Sequence, residues 1–140
     1  MKDLTVVVRQ LKDETDLSRN YVSLPKNYGT PAYFQRADIR AVKDLVYETL
    51  DSLDRHCHFS EKLASSRQVI IKPNLVSVYH KSGMIQEDYP ESTDPRVLDA
   101  VIEWVQQYHS RIVTAESSGK PMPTANSFHI SGIDRIARYR

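Results

Sequence analysis

The sequence predicts an α/β protein with an open, mainly parallel sheet in three layers, built in the order β-α-β-α-β-α. Two observations lead to this prediction. Short β-branched runs alternate with longer segments along the chain, and the longer segments carry apolar residues at steps of three and four, as amphipathic helices do. The composition agrees, since 140 residues with 40% apolar and 26% charged side chains are typical of one folded domain.

In the first half of the chain, residues 4–8 form a continuous β-branched run that suits a strand covered on both faces. Residues 10–37 are polar and irregular, with two prolines and a glycine, and are predicted to form a long loop. Asp38 can cap the helix that follows. The second predicted strand covers residues 68–72, and Pro73 ends it because proline cannot donate to the ladder. The apolar stripe of the helix comprises Ile39, Val42, Leu45, Val46, Leu50 and Leu53.

In the second half, a connection of residues 74–93 leads to a helix with Asp94 as its N-cap and Pro95 in its first turn. Residues 111–115 form the third predicted strand. Thr124 is predicted to cap a short helical turn, which is broken at Gly132 and resumes over residues 133–139. Because such a sheet normally continues into a further strand, we expect residues 1–140 to be a single domain and the N-terminal part of a longer architecture.

Several classes of function are disfavoured by composition. Nineteen basic against eighteen acidic residues give a net charge of +1, which provides no field for nucleic acid. The longest apolar runs are far shorter than the roughly 20 residues of a membrane span, and no signal peptide is seen. The single cysteine, Cys57, excludes a disulfide or an iron–sulfur cluster held within this chain alone and favours a cytoplasmic location.

The sequence contains no recognisable cofactor-binding motif. The chain has neither the three spaced glycines of a dinucleotide site nor the Walker spacing. Three adjacent potential metal ligands occur at His56, Cys57 and His58, but neighbouring residues rarely close on one ion, so we predict a helix end there and no metal site.

The candidate site lies where the second and third strands end. In open α/β sheets, ligands bind beyond the carboxyl ends of the strands, and parallel neighbours joined by one crossover bring those ends together. Topology therefore predicts convergence of Lys72 and Asn74 with the loop Glu116, Ser117, Ser118 and Gly119. A cation, an amide, hydroxyls and backbone N–H groups could hold a small anionic ligand, with Glu116 as the candidate catalytic residue. The alternative is that Lys72 and Glu116 form an ordinary ion pair.

Residues 69–138 resemble the family catalogued as domain of unknown function 362. The resemblance rests on four blocks in the family's order: Ile70-Ile71-Lys72-Pro73-Asn74-Leu75-Val76, Ser92-Thr93-Asp94-Pro95-Arg96-Val97, Glu116-Ser117-Ser118-Gly119, and Thr124, Phe128, Ser131-Gly132 and Ile133. It implies a ligand- or cofactor-binding domain without a defined general activity, and some longer members carry iron–sulfur modules. With one thiol, this chain departs from that pattern.

Two hypotheses follow. The first is a small-molecule-binding domain, catalytic or not, in which Lys72 and Asn74 contact the ligand. The second is a non-catalytic interaction or assembly module with an incomplete site. In either case, a second copy of the chain or a missing C-terminal domain would complete the sheet.

Overall fold

The computed structural model describes residues 6–11, 24–75, 92–117 and 123–140. Six helices hold 58% of these residues, and two short parallel strands account for the sheet. The predicted three-layer sheet of βαβαβα order is therefore wrong, because the described part of the chain is mostly helical.

The first predicted strand is one source of this difference. Val6 and Val8 are largely exposed, and residues 6–8 form no strand, while Leu4 and Thr5 lie outside the described residues. A β-branched run favours a pleated, half-buried surface, so its preference is expressed only where a neighbouring strand and a covering layer exist. Among the described residues, no strand pairs with residues 6–8, and the side chains of Val6 and Val8 are not covered.

Three helices precede the sheet: α1 (Pro31–Phe34), α2 (Ala37–Cys57) and α3 (Phe59–Ser65). The N-cap of α2 is Arg36, so the prediction that Asp38 caps this helix is wrong, although Asp38 does lie in its first turn. Helix α2 ends where His58 adopts the left-handed conformation (φ 51°, ψ 48°), and His56 lies in its last turn. The helix-end interpretation of the histidines is confirmed, whereas α3 was not predicted from the sequence.

The central unit consists of β1 (Val69–Ile71), α4 (Pro95–Gln106) and β2 (Ile112–Thr114). The strands are parallel, with Ile70 opposite Val113. Each strand lies within its predicted span. The prediction for α4 is also confirmed, since the Asp94 side chain accepts a hydrogen bond from the Arg96 backbone N–H at 2.8 Å and Pro95 occupies the first turn.

Two further helices, α5 (Thr124–Ser131) and α6 (Ile133–Tyr139), are separated by Gly132 as predicted. The N-cap of α5 is Pro123, so the prediction that Thr124 caps this helix is wrong, and Thr124 is its first residue. Gly132 has φ +82°, a conformation that glycine adopts without steric cost. The side chain of Leu24 fills the space beside it, because a Cβ at position 132 would lie 2.7 Å from Leu24 Cβ. Leu24, which precedes α1, therefore packs against the junction between α5 and α6.

The core consists of two neighbouring clusters that meet at the sheet. Ile71 and Ile112 pack against both, so the inner face of the sheet joins them. In the smaller cluster, buried Trp104 stacks on Phe59 with ring centroids 6.2 Å apart. The outer face differs, since Ile70 is 65% and Val113 40% exposed. The larger cluster comprises Leu24, Tyr33, Ile39, Leu75, Leu98, Ile102, Ile133 and Ile136.

Candidate functional site

The carboxyl ends of β1 and β2 lie side by side, as the crossover topology predicts. The Ala115 backbone N–H donates to the Ile71 carbonyl at 3.0 Å, which continues the pairing one residue beyond β2. Lys72 follows β1 and Glu116 lies two residues after β2. The Lys72 Nζ and Glu116 Oε2 atoms are 2.6 Å apart, so these two predicted site residues do converge.

Glu116 is the fixed partner of this pair. Its side chain is only 6% exposed, and its Oε1 accepts a hydrogen bond from the Ser117 backbone N–H at 2.7 Å. The hydrogen bond from Lys72, together with those from the backbone of Ser117 and Leu75, holds the pKa of Glu116 below its usual value although desolvation opposes this. The carboxylate thus ties the loop after β2 to the segment after β1.

Lys72 presents the opposite situation, because its side chain is 68% exposed. An ammonium group has three donors, and Glu116 accepts from it on one side. The remaining donors face solvent at the sheet edge. The site therefore contains a cation whose position is set by a buried carboxylate and whose outer side is open.

Asn74 is held by its backbone. Its N–H donates to Thr93 Oγ1 at 2.8 Å, and its carbonyl accepts from the Thr93 N–H at 2.7 Å. Leu75 and Ser92 then form an antiparallel bridge. These contacts clasp the two ends of the connection between β1 and α4. The Asn74 residue is exposed, and its side chain makes no hydrogen bond within the described residues.

The loop after β2 is described only in part. Ser117 is exposed, and its N–H is used by Glu116. The predicted ligand contacts of Ser118 and Gly119 lie outside the described residues. Residues 76–91, which connect Leu75 to Ser92 along the chain, also lie outside the described residues.

The sequence analysis missed an ionic network beside the site. The Arg96 side chain, only 1% exposed, donates to Asp94 Oδ2 at 2.6 Å and to Asp38 Oδ2 at 3.1 Å. Arg36 reaches the same Asp38 oxygen at 2.8 Å. Burial alone would raise the pKa of Asp38, but the hydrogen bonds and charges of Arg36 and Arg96 outweigh it and lower the pKa. Arg96 thereby fixes the start of α4, next to Thr93, against the start of α2.

The local signal for this network was the order Asp94-Pro95-Arg96, in which a cap residue is followed two positions later by a cation. That signal gives the local pair. It cannot give the bond to Asp38, which lies 58 positions away in the chain.

The described groups at this edge are the exposed Lys72 ammonium, the Asn74 amide, the Ser117 hydroxyl and the Glu116 carboxylate. A lowered pKa makes Glu116 an ionised acceptor, and a general acid at neutral pH needs a raised one. Ser117 has no basic side chain bonded to it among the residues described. His109 is engaged elsewhere, because its ring nitrogens contact the Ser66 carbonyl at 3.0 Å and the Arg111 N–H at 2.9 Å.

Comparison with known proteins adds no relative: no family model, no curated protein and no solved structure matches this chain. Within the described residues, no three His, Cys, Asp or Glu side chains come together as metal ligands. No helix in the same part of the chain is both long and apolar enough to cross a bilayer.

Proposed function

We propose that this protein binds a small anionic ligand at the carboxyl edge of β1 and β2, through the ammonium group of Lys72 and the side-chain amide of Asn74. Ser117 adds a hydroxyl. Ser118 and Gly119 are proposed to supply further hydrogen-bond donors on the basis of sequence. The function is one of binding, and no reaction is assigned to the site.

The observation that carries the proposal is the combination of 68% exposure at Lys72 with 6% exposure at Glu116 across a 2.6 Å contact. An ordinary surface ion pair has two mobile partners and contributes little. Here one partner is buried and bonded to backbone N–H groups, so the ammonium is held in place before any ligand arrives. Pre-organisation of this kind lowers the entropic cost of binding.

Glu116 is proposed as a positioning residue. Its negative charge compensates that of Lys72, so an anion at this edge gains hydrogen bonds more than long-range attraction, and we expect modest affinity. The family resemblance supports a ligand or cofactor site built from the same blocks. Any iron–sulfur chemistry of longer relatives would reside on other chains or segments, because Cys57 is the one thiol here. A cytoplasmic location remains part of the proposal.

The test is a thermal-shift screen with orthophosphate, pyrophosphate, nucleotides and dicarboxylates. A ligand at ten times its Kd stabilises the folded state by about 1.4 kcal/mol, which is about 5 °C in Tm for a domain of this size. Lys72→Gln is expected to abolish the shift. Lys62→Gln, which removes an exposed lysine of α3, is the matched control and should respond as the parent does. If Lys72→Gln bound the selected anion as tightly as the parent, the proposed site would be wrong.

A second candidate function, an assembly module, is favoured by the outer face of the sheet. Parallel strands are normally covered on both faces, yet Ile70 and Val113 lie side by side and exposed. A second copy of the chain is the proposed cover. Light scattering should then show a dimer that Ile70→Thr dissociates, and a parent protein that stays monomeric at high concentration would exclude this candidate.

A further inference from the structure

A groove separate from the carboxyl edge runs between the start of α2, the middle of α4 and the end of α6. It encloses about 380 Å³ and shares no lining residue with the site of Lys72 and Asn74. Pockets of roughly 300–1,000 Å³ are the usual size for small-molecule sites. Its lining combines aromatic rings with charges of both signs. The way these charges pair indicates which of them could contact a ligand.

Most of the charges in the groove neutralise one another. Glu103 accepts hydrogen bonds from Lys43 at 2.6 Å and from Arg140 at 2.8 Å, and Arg140 also donates to Asp99 at 2.8 Å. Burial alone would raise the pKa of Glu103, but the hydrogen bond from Lys43 and the charge of Arg140 lower it. Two cations and two carboxylates therefore form a balanced network, in which Lys43, Glu103 and Arg140 line the groove and Asp99 is buried.

Two lining charges lie outside this network. Arg40 and Asp44 are exposed and stand four residues apart on α2, so their side chains emerge on the same face of the helix. Neither makes an ion pair or a hydrogen bond within the described part of the chain. The groove thus presents one cation and one carboxylate that are exposed to solvent, lie about one helical turn apart and have no ionic partner among the described residues.

The facing wall is aromatic. The rings of Phe34 and Tyr139 lie with centroids 5.6 Å apart at 33°, and Tyr139 is half exposed. The Arg140 guanidinium lies 5.9 Å from the Phe34 ring centre and 5.6 Å from that of Tyr139. Such a wall offers a ring both apolar contact and stacking.

We infer that this groove binds a free amino acid with an aromatic side chain. Its carboxylate would accept the paired donors of the Arg40 guanidinium, and its α-ammonium would donate to Asp44. Its ring would lie against Phe34 and Tyr139. A zwitterion has one charge to pair with Arg40 and one to pair with Asp44. A simple anion would leave Asp44 without an ionic partner, and a simple cation would leave Arg40 without one.

The test uses the whole chain labelled with ¹⁵N and titrated with L-phenylalanine to millimolar concentration. We expect saturable shifts of the amide resonances of residues 40–44 and 139–140. N-acetyl-L-phenylalanine, L-phenylalaninamide and L-alanine each lack one of the three recognised groups and should bind on the order of tenfold more weakly. Absence of saturable shifts, shifts confined to other residues, or binding of the analogues as tight as that of L-phenylalanine would overturn the inference.

Variants separate recognition from general charge effects. Arg40→Gln and Asp44→Asn should each weaken L-phenylalanine binding on the order of tenfold. Arg55→Gln and Glu48→Gln remove an exposed charge of the same sign from the same helix and should leave binding unchanged. Equal weakening by a variant and its control would count against specific contacts. Since this site and that of Lys72 have no residue in common, either proposal can fail alone.

Discussion

Replacement of Arg96 by methionine should cost about 3 kcal/mol of unfolding free energy. Arg96 is 1% exposed and donates to two carboxylates, those of Asp94 and Asp38. Removal of one partner from a buried ion pair typically costs about 3–5 kcal/mol, because the other charge stays buried and unpaired. We take the lower end, since Arg36 still contacts Asp38 and Asp94 is partly exposed. Methionine fills most of the arginine volume, so little of the loss comes from packing.

The assay is urea unfolding followed by the fluorescence of Trp104, the single tryptophan, which is buried against Phe59. At about 140 residues, a loss of 3 kcal/mol lowers Tm by about 10 °C. Arg55→Met, at an exposed position of α2, is the control and should change stability by less than about 0.5 kcal/mol.

The pH dependence gives a second test of the same reasoning. The pKa of Asp38 is lowered in the folded state, so its ion pairs stabilise the fold above the unfolded value of 3.8 and lose that contribution as pH falls through the folded value. The deficit of Arg96→Met should therefore be largest at neutral pH and shrink below about pH 4. A variant that lost less than about 1 kcal/mol at pH 7, or an equal amount at every pH, would refute a buried ionic clamp.

Three further outcomes are expected. Glu116→Gln should make the free energy of unfolding depend less steeply on pH below 4.5, the usual pKa of a glutamate. The pKa of Glu116 is lowered in the folded state, so its stabilising contribution is lost as pH falls. Urea unfolding at several pH values will show the same slope for parent and variant if this is wrong. Gly132→Ala should cost about 2–4 kcal/mol, since it combines positive φ with a 2.7 Å approach to Leu24, whereas Gly29→Ala meets a movable ring at 3.1 Å and should cost less; equal losses in thermal unfolding would contradict the packing argument. Ser127→Ala should raise stability by about 1 kcal/mol, because the buried Ser127 hydroxyl has no hydrogen-bond partner in the described structure, and a destabilised variant would reveal one.

Elements with strong local signals could be predicted from the sequence. Pro73 limits β1, Asp94 and Pro95 start α4, and Gly132 separates α5 from α6. Each signal acts through the backbone of its own segment, either by capping the first free N–H groups or by fixing φ. These boundaries hold to within about a residue or two.

Elements that depend on distant partners could not. Helix α3 is short and polar, and it is stabilised by contacts with α4, because buried Leu63 and partly buried Phe59 pack with Trp104. Leu24 and Tyr33, in a segment predicted to be a loop, are core residues for a similar reason. The same dependence contributed to the wrong fold class, since residues 6–8 have the composition of a strand but pair with no strand among the described residues.

The candidate site could likewise be predicted only in part. The meeting of Lys72 with Glu116 follows from parallel topology and could be predicted without side-chain detail. The burial of Glu116 and the bond from Arg96 to Asp38 depend on how the loops and helices pack. Sequence therefore predicts which residues meet and leaves open which of them is held and which is exposed.

The contacts that join the two ends of the connection between β1 and α4 have a consequence for how the sequence of this protein could change in evolution. Asn74 pairs with Thr93 and Leu75 with Ser92, so the chain is closed on itself before residues 76–91 begin. The entropic cost of a longer loop rises only slowly with its length. Insertions, deletions or grafted sequences between residues 76 and 91 should therefore leave Lys72 and Asn74 in their places. The length of this connection and the stability of the fold would then be under separate selection within one small protein.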